Sequence, residues 1–206
     1  MITFQEENWQ GAYGDEYTER NPKTIEELDA LYQKNYGLSR TVLNNEFLKG
    51  FDKGVKILEI GCNVGAQLQG LEKIGFQNLY GIDINKTALE KAKRFNVVFG
   101  SVLDIPFKDN FFDLVFTSGV LIHVAPKDIT TAMEEIVRCS KQYIWGFEYF
   151  SKNTEQVLYR GKENLLWKAD FAKIYLDNFD LEMVKQKKVK YLKDDNIDAM
   201  FFLKKK

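Results

Sequence analysis

The chain has 206 residues, 45% of them hydrophobic and 29% charged, a balance typical of a soluble globular domain with its own core. Its 29 Lys and Arg residues face 30 Asp and Glu residues, so no excess of positive charge favours nucleic acid or anionic lipid as a partner. No apolar run approaches the ~20 residues of a membrane span, and the acidic start MITFQEENWQ lacks a signal-peptide pattern, so we expect a cytoplasmic protein.

Only two cysteines occur in the sequence, Cys62 and Cys139. They are isolated from each other and lack the spacing of a disulfide framework or a zinc site. We predict that both are buried as small hydrophobic side chains and that the protein holds no metal.

The apolar pattern of the N-terminal region predicts helices. From Pro22 to about Leu48, apolar residues recur at helical spacing with Gly37 as a break, which predicts two helices before the first strand. We expect one domain over residues 1–206, with a helical cap over residues 1–50 and a Rossmann-like core over residues 51–206.

The pattern changes after Gly54, where short β-rich runs alternate with helical ones. The runs VKILEI, LYGIDI, NVVFG, FDLVFTS and QYIWGFEYF predict parallel strands with helices on both faces. Near the end, DLEMVKQKKVKYL and NIDAMFFLKKK are joined by the polar turn KDDN, which predicts an antiparallel pair at the sheet edge. The predicted fold class is therefore α/β, a doubly wound and mostly parallel sheet with a terminal antiparallel strand and N-terminal helices.

A glycine turn, EIGCNVGAQL, follows the first predicted strand. Gly61 and Gly65 allow tight backbone geometry, and Asn63 between them is one of the few other residues that tolerate positive φ. Because ligands of open α/β sheets bind at the carboxyl ends of the strands, we expect the turn to contact a ligand. The spacing Glu-x-Gly-x-Asn-x-Gly from Glu59 to Gly65 differs from the dinucleotide pattern Gly-x-Gly-x-x-Gly.

Asp83 ends the next predicted strand, where its carboxylate can accept hydrogen bonds from both hydroxyls of a ribose. The alternative is an ordinary strand-to-helix turn in which Asp83 caps the helix NKTALEKAKRF. The combination of a glycine turn and an acid at successive strand ends favours a nucleoside-containing ligand.

Four motifs in order, ILEIGCNVG, GIDI, GSVLDIPF and FDLVFTSGVLIHV, resemble the cofactor motifs of class I S-adenosylmethionine-dependent methyltransferases. They cover Lys56 to Val124, and Asn63 departs from the glycine that this family usually has there. The resemblance implies S-adenosylmethionine (SAM) as cofactor and S-adenosylhomocysteine (SAH) as product. It implies that Glu59 lies near the methionyl end, that Gly61, Cys62, Asn63 and Gly65 lie beside the sulfonium, and that Asp83 contacts the ribose. It also implies adenine contacts from Ser101, Val102 and Leu103. Further expected cofactor contacts are Ile84, Ser118 and Tyr17.

A narrower resemblance involves the flanks. The segments WQGAYGDEYTERN, GVLIHV and EYFSKNTEQVLYRGKENLLWKADFA are similar to the pseudaminic acid biosynthesis-associated methylases, from Trp9 to the terminal hairpin. This resemblance implies methyl transfer to a hydroxyl or amine of a small, anionic, sugar-like metabolite in bacterial surface glycan (nonulosonic acid) biosynthesis. The alternatives are methylation of another small natural product, a nicotinamide-dependent oxidoreductase, and a cofactor-binding protein without turnover. Nothing in the sequence predicts the oligomeric state.

Two flanking segments are candidates for covering the site, since methyl transfer requires an aligned acceptor and the exclusion of water. The first holds Tyr13, Glu16, Tyr17 and Arg20, and the faces of its aromatic rings can also attract the sulfonium. The alternative is that Trp9 and Tyr13 only pack the early helices onto the sheet.

The second segment is a predicted long loop over residues 151–168, which follows Tyr149 and carries Tyr159 and Arg160. The predicted substrate contacts are Tyr13, Tyr159 and Arg160. Arg160 is chosen because an arginine can hold a carboxylate or phosphate through two hydrogen bonds. The alternative for Arg160 is a surface ion pair with Glu155 or Glu163.

His123 is the only histidine, and we expect it to face the transferred methyl group. Imidazole suits proton removal near neutral pH, which makes His123 a candidate general base. We favour packing or a structural hydrogen bond as its role, with Glu16 and Tyr149 as further candidates for assisting proton removal.

Overall fold

The computed structural model describes residues 2–206. It divides into two compact units, residues 2–101 and residues 102–206. The division follows Ser101 rather than residue 50, and the interpretation as a single domain with a separate cap stays a prediction.

The first unit contains the N-terminal helices and the first three strands. Its elements are α1 (Phe4–Gln10), α2 (Ala12–Arg20), α3 (Ile25–Tyr36), α4 (Arg40–Leu48), β1 (Lys56–Ile60), α5 (Ala66–Lys73), β2 (Asn78–Asp83), α6 (Lys86–Ala92) and β3 (Asn96–Phe99).

The second unit contains the remaining strands, a 3₁₀ turn and a small hairpin. Its elements are β4 (Phe112–Ser118), the 3₁₀ turn (Leu121–His123), α7 (Ile129–Cys139), β5 (Ser140–Tyr149), β6 (Glu155–Gln156), β7 (Trp167–Lys168), α8 (Phe171–Asn178), β8 (Leu181–Lys190) and β9 (Ile197–Lys205).

The main strands have the predicted arrangement. In the first unit the order is β3-β2-β1, with parallel pairing throughout. In the second unit the order is β4-β5-β9-β8, where β4 and β5 are parallel and β9 is antiparallel to both of its neighbours. These strands make up a seven-stranded, mostly parallel sheet with one antiparallel strand, so the predicted fold class is confirmed.

The terminal hairpin places β9 inside the sheet and β8 at its edge. Residues 198–203 of β9 are all buried, whereas β8 alternates between exposed and less exposed residues and carries several lysines. Charged side chains on an edge strand oppose pairing with further strands. The burial pattern therefore explains why the last strand, and not the one before it, lies next to β5.

The N-terminal region has four helices before β1 within residues 2–60, so the prediction of two was incomplete. The predicted pair corresponds to α3 and α4, and Gly37 ends α3 in a left-handed conformation with φ of 73°. Thr3 begins α1 with a capping box that includes Glu6. Both α1 and α2 are short, and α2 contains Gly14, so their helical period is weak and the apolar pattern missed them.

Apolar side chains fill the interior of each unit. In the first unit Ile57 and Leu58 are fully buried, and in the second unit Trp145 is 1% exposed. Cys62 and Cys139 are both buried free thiols, which confirms their predicted role. Within residues 2–206, no helix has the length and apolar character needed to cross a membrane.

Candidate functional site

The glycine turn after β1 has the strained backbone that its sequence predicted. Gly61, Asn63 and Gly65 all have positive φ, at 66°, 46° and 78°. The Asn63 side chain supports the turn by accepting a hydrogen bond from the Val64 N–H at 2.8 Å. A Cβ atom on Gly65 would lie 3.1 Å from the ring of Phe95, so close packing adds to the conformational requirement for glycine.

Asp83 joins this turn to the one that follows β2. Its Oδ2 accepts a hydrogen bond from the Asn63 N–H at 2.7 Å, and its Oδ1 accepts one from the Asn85 N–H at 2.8 Å. Burial raises the pKa of Asp83, while these backbone N–H groups act in the opposite direction. The cap of α6 is Asn85, whose Oδ1 accepts from the Ala88 N–H at 2.8 Å, so the alternative interpretation of Asp83 as the helix cap is wrong.

Glu59 is a second buried acid beside the turn. It is 3% exposed on β1, and its Oε2 is buried without a hydrogen-bond partner among residues 2–206. Burial raises the pKa of Glu59 well above its usual value, with the positive charge of Arg40 opposing this shift and the negative charge of Asp83 adding to it. A buried acid with an unsatisfied oxygen is costly, so this end of β1 favours a ligand that brings a donor or a positive charge.

Arg40 lies on α4 and is fully buried. Its guanidinium donates to the Asn44 Oδ1 at 2.8 Å and to the Tyr32 hydroxyl at 3.0 Å. These contacts fix the position of its charge near Glu59. The N-terminal helices therefore contribute to the electrostatics of the turn, a role that the sequence analysis did not predict.

Helices α1 and α2 form an aromatic cluster of their own. The Trp9 ring meets the rings of Tyr13 and Tyr17 edge-on at 5.3 and 5.0 Å, and the Arg20 guanidinium lies over both tyrosines. This supports the packing interpretation for Trp9 and Tyr13. Glu16 is exposed on α2.

Contacts from α1 and α2 also reach the strand ends. Asn85, after β2, donates to the Trp9 carbonyl and to the Asp15 carboxylate, and Ser101, after β3, donates to the Glu6 carboxylate at 2.6 Å. Helices α1 and α2, called the covering segment below, therefore lie against the same strand ends as the predicted cofactor residues of this unit.

A shallow cleft of about 490 Å³ in the first unit lies elsewhere. It is lined in part by Phe76, Leu79 and Asn96, near the amino ends of β2 and β3. Its Arg94 is paired with Glu72 at 2.7 Å. Because ligands of this fold class bind at the carboxyl ends of strands, this cleft is not the candidate site.

In the second unit, His123 ends the 3₁₀ turn after β4. Its Nδ1 lies 2.6 Å from the Leu165 carbonyl oxygen, which can only accept, so Nδ1 carries the hydrogen and Nε2 is the acceptor nitrogen of the neutral ring. Burial lowers the pKa of His123 to about 4. The structural hydrogen bond that the sequence analysis favoured is present, and the ring also packs on Tyr159 at a centroid distance of 5.3 Å.

Glu148 on β5 is a buried acid that the sequence analysis missed. It is 1% exposed, and its two carboxylate oxygens accept from the Val120 N–H at 3.2 Å and the Ile122 N–H at 3.4 Å. It thereby holds the turn that ends at His123. The available signal was a single acid within the otherwise apolar and aromatic run QYIWGFEYF.

The predicted long loop is a β-hairpin. Strands β6 and β7 pair antiparallel, and Tyr159 and Lys162 exchange two backbone hydrogen bonds around Arg160 and Gly161. The positive φ values of these central residues, 49° and 76°, are those of a tight type I′ turn. Arg160 is exposed at the tip, and its predicted contact with the substrate stays a prediction.

The remaining predicted residues lie at strand ends of their own units. Ile84 directly follows β2, and Val102 and Leu103 follow Ser101 as half-buried residues. Ser118 ends β4, and Tyr149 ends β5 with its ring edge-on to Tyr191.

We predict that replacing Glu148 with Gln changes how stability depends on pH. Burial raises the pKa of Glu148 from 4.5 to about 7, so between these values the folded state holds a proton that the unfolded state has released. As pH rises through this window, the unfolding free energy of the parent protein should fall relative to Glu148→Gln, by up to about 3 kcal/mol. Denaturant titrations of both proteins between about pH 5 and pH 8 measure this difference.

Subtracting the unfolding free energies of the parent and Glu148→Gln proteins cancels the contributions of other titrating groups. His123, whose pKa is lowered, makes stability rise with pH below its ordinary pKa, but it does so in both proteins and cancels in the difference. A difference that is constant over this range, or that grows in favour of the parent as pH rises, would contradict the assigned protonation of Glu148.

Comparisons with known proteins agree with the fold and with the motif region. Residues 58–143 match the family described as a methyltransferase domain. A sterol 24-C-methyltransferase of Aspergillus fumigatus is 30% identical over 102 residues, which are 45% of this chain and 26% of that enzyme. The chain spans less than half of the length of the curated relatives it matches.

Two solved structures share the fold at low identity. Magnesium protoporphyrin IX methyltransferase from Synechocystis PCC 6803 with bound SAH has a TM-score of 0.70 and 14% identity, covering 98% of each chain. The PH0226 protein from Pyrococcus horikoshii OT3 has a TM-score of 0.70 and 17% identity, covering 93% of this chain and 99% of that one.

The residues at the glycine turn fit the cofactor of this family. SAM carries a sulfonium, an ammonium group and a ribose with two hydroxyls. The buried, unsatisfied Glu59 Oε2 and the Asp83 carboxylate supply acceptors for such groups at adjacent strand ends. Residues 58–143 are thus similar to a methyltransferase domain, and the fold is shared with a solved methyltransferase that holds SAH.

Proposed function

We propose that the protein transfers the methyl group of SAM to a hydroxyl or amine of a small, anionic, sugar-like metabolite. The observation that carries the cofactor half of this proposal is the Asp83 carboxylate, which is tied to the glycine turn by the Asn63 N–H at 2.7 Å. The acceptor half rests on the hairpin at residues 151–169 and on the resemblance of the flanks to the pseudaminic acid-associated methylases.

On the cofactor side, Asp83 accepts hydrogen bonds from the ribose hydroxyls. Its oxygens accept backbone N–H groups of Asn63, Ile84 and Asn85, and the two oxygens together have about four lone-pair sites. Glu59 lies toward the methionyl end, where its unsatisfied oxygen accepts from the ammonium group. Ser101, Val102 and Leu103 surround the adenine.

Methyl transfer is an in-line displacement. The acceptor lone pair forms the new bond to the methyl carbon while the carbon–sulfur bond breaks, and its electron pair stays on sulfur as the neutral thioether of SAH. The acceptor then releases one proton. The protein contributes alignment and the exclusion of water, because the sulfonium is already a strong electrophile.

His123 has a positioning role in this mechanism. Its pKa of about 4 makes it neutral at physiological pH but a weak base, below the basicity that favours general-base catalysis near pH 7. Its Nδ1–H instead donates to the Leu165 carbonyl and so holds the hairpin that carries Tyr159 and Arg160. Glu16 and Tyr149 remain proposed assistants in removing the acceptor proton.

An anionic acceptor is supported by the charge of the hairpin. Arg160 is exposed at its tip, and Lys152 and Lys162 are also exposed on it. An exposed guanidinium can bind a carboxylate or phosphate in a bidentate manner. The relatives named for sterol and porphyrin substrates describe those proteins, so a different small natural product is the second candidate acceptor.

Two other functions make different predictions for ligand binding. A nicotinamide-dependent oxidoreductase is disfavoured by the spacing of the glycine turn, which lacks the second and third glycines of the dinucleotide pattern. A cofactor-binding protein without turnover would bind SAH but form no product. Binding and turnover measurements separate these cases from the proposed enzyme.

We predict that SAH, and not NAD, stabilises the folded protein in a thermal-shift titration. At an SAH concentration about 100 times the dissociation constant, the stabilisation should be about 2.7 kcal/mol. Asp83→Asn should weaken SAH binding by roughly 1.5 to 3 kcal/mol in calorimetry, because one charge-assisted acceptor is lost. Glu16→Gln, on the exposed face of α2, is the matched control and should retain SAH affinity.

Stabilisation by NAD alone would contradict the proposed cofactor. Equal SAH affinity of a folded Asp83→Asn protein and the parent would remove Asp83 from the ribose site. Formation of SAH only when an acceptor is added distinguishes turnover from simple binding.

We predict that Arg160→Ala acts on the acceptor and not on the cofactor. Loss of a hydrogen bond to a charged group costs about 1.5 to 3 kcal/mol, so the Michaelis constant of the acceptor should rise roughly 10- to 100-fold with little change in SAH affinity. The assay is SAH release with a panel of free and nucleotide-activated nonulosonic acids. Lys152→Ala, another exposed cation of the same hairpin, is the control and should have a smaller effect.

An equal loss of acceptor and SAH affinity in Arg160→Ala would contradict this division of roles. Turnover of an uncharged acceptor with no dependence on Arg160 would contradict the proposed substrate class.

A further inference from the structure

Asn85 makes more hydrogen bonds than a helix cap requires. Its side-chain Oδ1 caps α6 by accepting from the Ala88 N–H at 2.8 Å. Its Nδ2 donates in the other direction, to the Trp9 carbonyl at 3.2 Å and to the Asp15 Oδ1 at 3.0 Å. Its backbone N–H donates to the Asp83 Oδ1 at 2.8 Å. One residue is thus bonded both to the covering segment and to the proposed ribose acid.

The amide is needed for this combination. Asp, Ser or Thr would cap α6 about as well as Asn, because the cap uses only an oxygen acceptor. The Nδ2 group of Asn85 donates to an oxygen on each of the two helices of the covering segment, and the Asp15 carboxylate also accepts from the Thr87 side chain. Asn85 is 4% exposed, so water cannot readily replace either partner.

Gly14 on α2 shows how closely this helix approaches the Trp9 carbonyl and the Asn85 side chain. A Cβ atom at this position would lie 1.9 Å from the Trp9 carbonyl oxygen and 2.9 Å from the Asn85 Nδ2. Glycine within a helix lowers its stability by about 1 kcal/mol relative to alanine, so its presence here has a packing reason. The close approach lets one amide group reach the carbonyl of α1 and the carboxylate of α2 together.

Two further contacts join the covering segment to the rest of the unit. The Glu6 carboxylate accepts from Ser101 after β3, and Glu19 on α2 is paired with Lys91 on α6. The Glu19–Lys91 pair is solvent-exposed and contributes little on its own. The buried amide of Asn85 is the attachment that reaches both α1 and α2.

We infer that Asn85 is a positioning residue that latches the covering segment to the turn bearing Asp83, so that SAH leaves the site only when this latch opens. This inference rests on the proposed function. Binding of the cofactor at Asp83 and docking of the covering segment share one residue, so each should stabilise the other.

The test is Asn85→Asp. Aspartate keeps the acceptor that caps α6 but replaces the donor with a second carboxylate oxygen facing Asp15 and the Trp9 carbonyl. We expect the SAH dissociation rate constant, measured by stopped-flow displacement, to rise about tenfold or more. Amide hydrogen exchange of residues 4–20 in the SAH-free protein should rise by a similar factor, while exchange in α6 should stay unchanged.

The matched control exchanges the side chains of Asn85 and Asp15. In the double variant Asn85→Asp with Asp15→Asn, the donor is on α2 and the acceptor is after β2, so one of the two latch bonds is restored. We expect the SAH dissociation rate and the exchange of residues 4–20 to return most of the way to the parent values. Gly14→Ala should resemble Asn85→Asp, although alanine favours helix formation.

Each outcome decides the inference. Unchanged exchange of residues 4–20 in Asn85→Asp overturns the latch, and so does faster SAH release that the double variant leaves uncorrected. Exchange is measured without SAH, so the latch is tested even if SAH does not bind. Absence of SAH binding to the parent protein overturns the proposed function instead.

Discussion

The interaction on which the site depends is the Asp83 carboxylate held between two backbone N–H groups. Asn63 belongs to the glycine turn after β1, and Asn85 belongs to the turn after β2. Without a shared acceptor, two part-buried N–H groups at adjacent strand ends would lose this hydrogen bond. The same carboxylate is the proposed ribose acceptor, so the folding of both turns and the binding of the cofactor rest on one side chain.

The second constraint is electrostatic. Glu59 is a buried acid on β1, and the negative charge of Asp83 at the end of the neighbouring strand adds to the cost of charging it, whereas the positive charge of Arg40 lowers that cost. A cationic ligand with hydrogen-bond donors offsets this cost, whereas a dinucleotide phosphate would add to it. The charge of the turn and the spacing of its glycines therefore both favour SAM over NAD.

In the second unit, the buried Glu148 has a related role, since it holds the turn that positions His123.

The features that the sequence predicted are local. Strand periodicity, the glycines at 61 and 65 and the tolerance of Asn63 for positive φ depend on each residue and its near neighbours, so the sheet and the turn could be predicted. The missed features depend on distant partners. Asn85 has the sequence of an ordinary helix cap, and only the docking of α2 shows what its amide does. Likewise, the bonds of Glu148 and the hairpin around Arg160 require pairings between separated segments.

The most direct test of the cofactor site is a crystal structure of the protein with SAH. We predict that both ribose hydroxyls lie within hydrogen-bonding distance, about 2.5 to 3.0 Å, of the Asp83 carboxylate, with the Asn63 and Asn85 N–H bonds to it retained. The SAH ammonium group should lie against the Glu59 oxygen that has no partner within residues 2–206. A ribose bound away from Asp83, with the glycine turn uninvolved, would contradict the account.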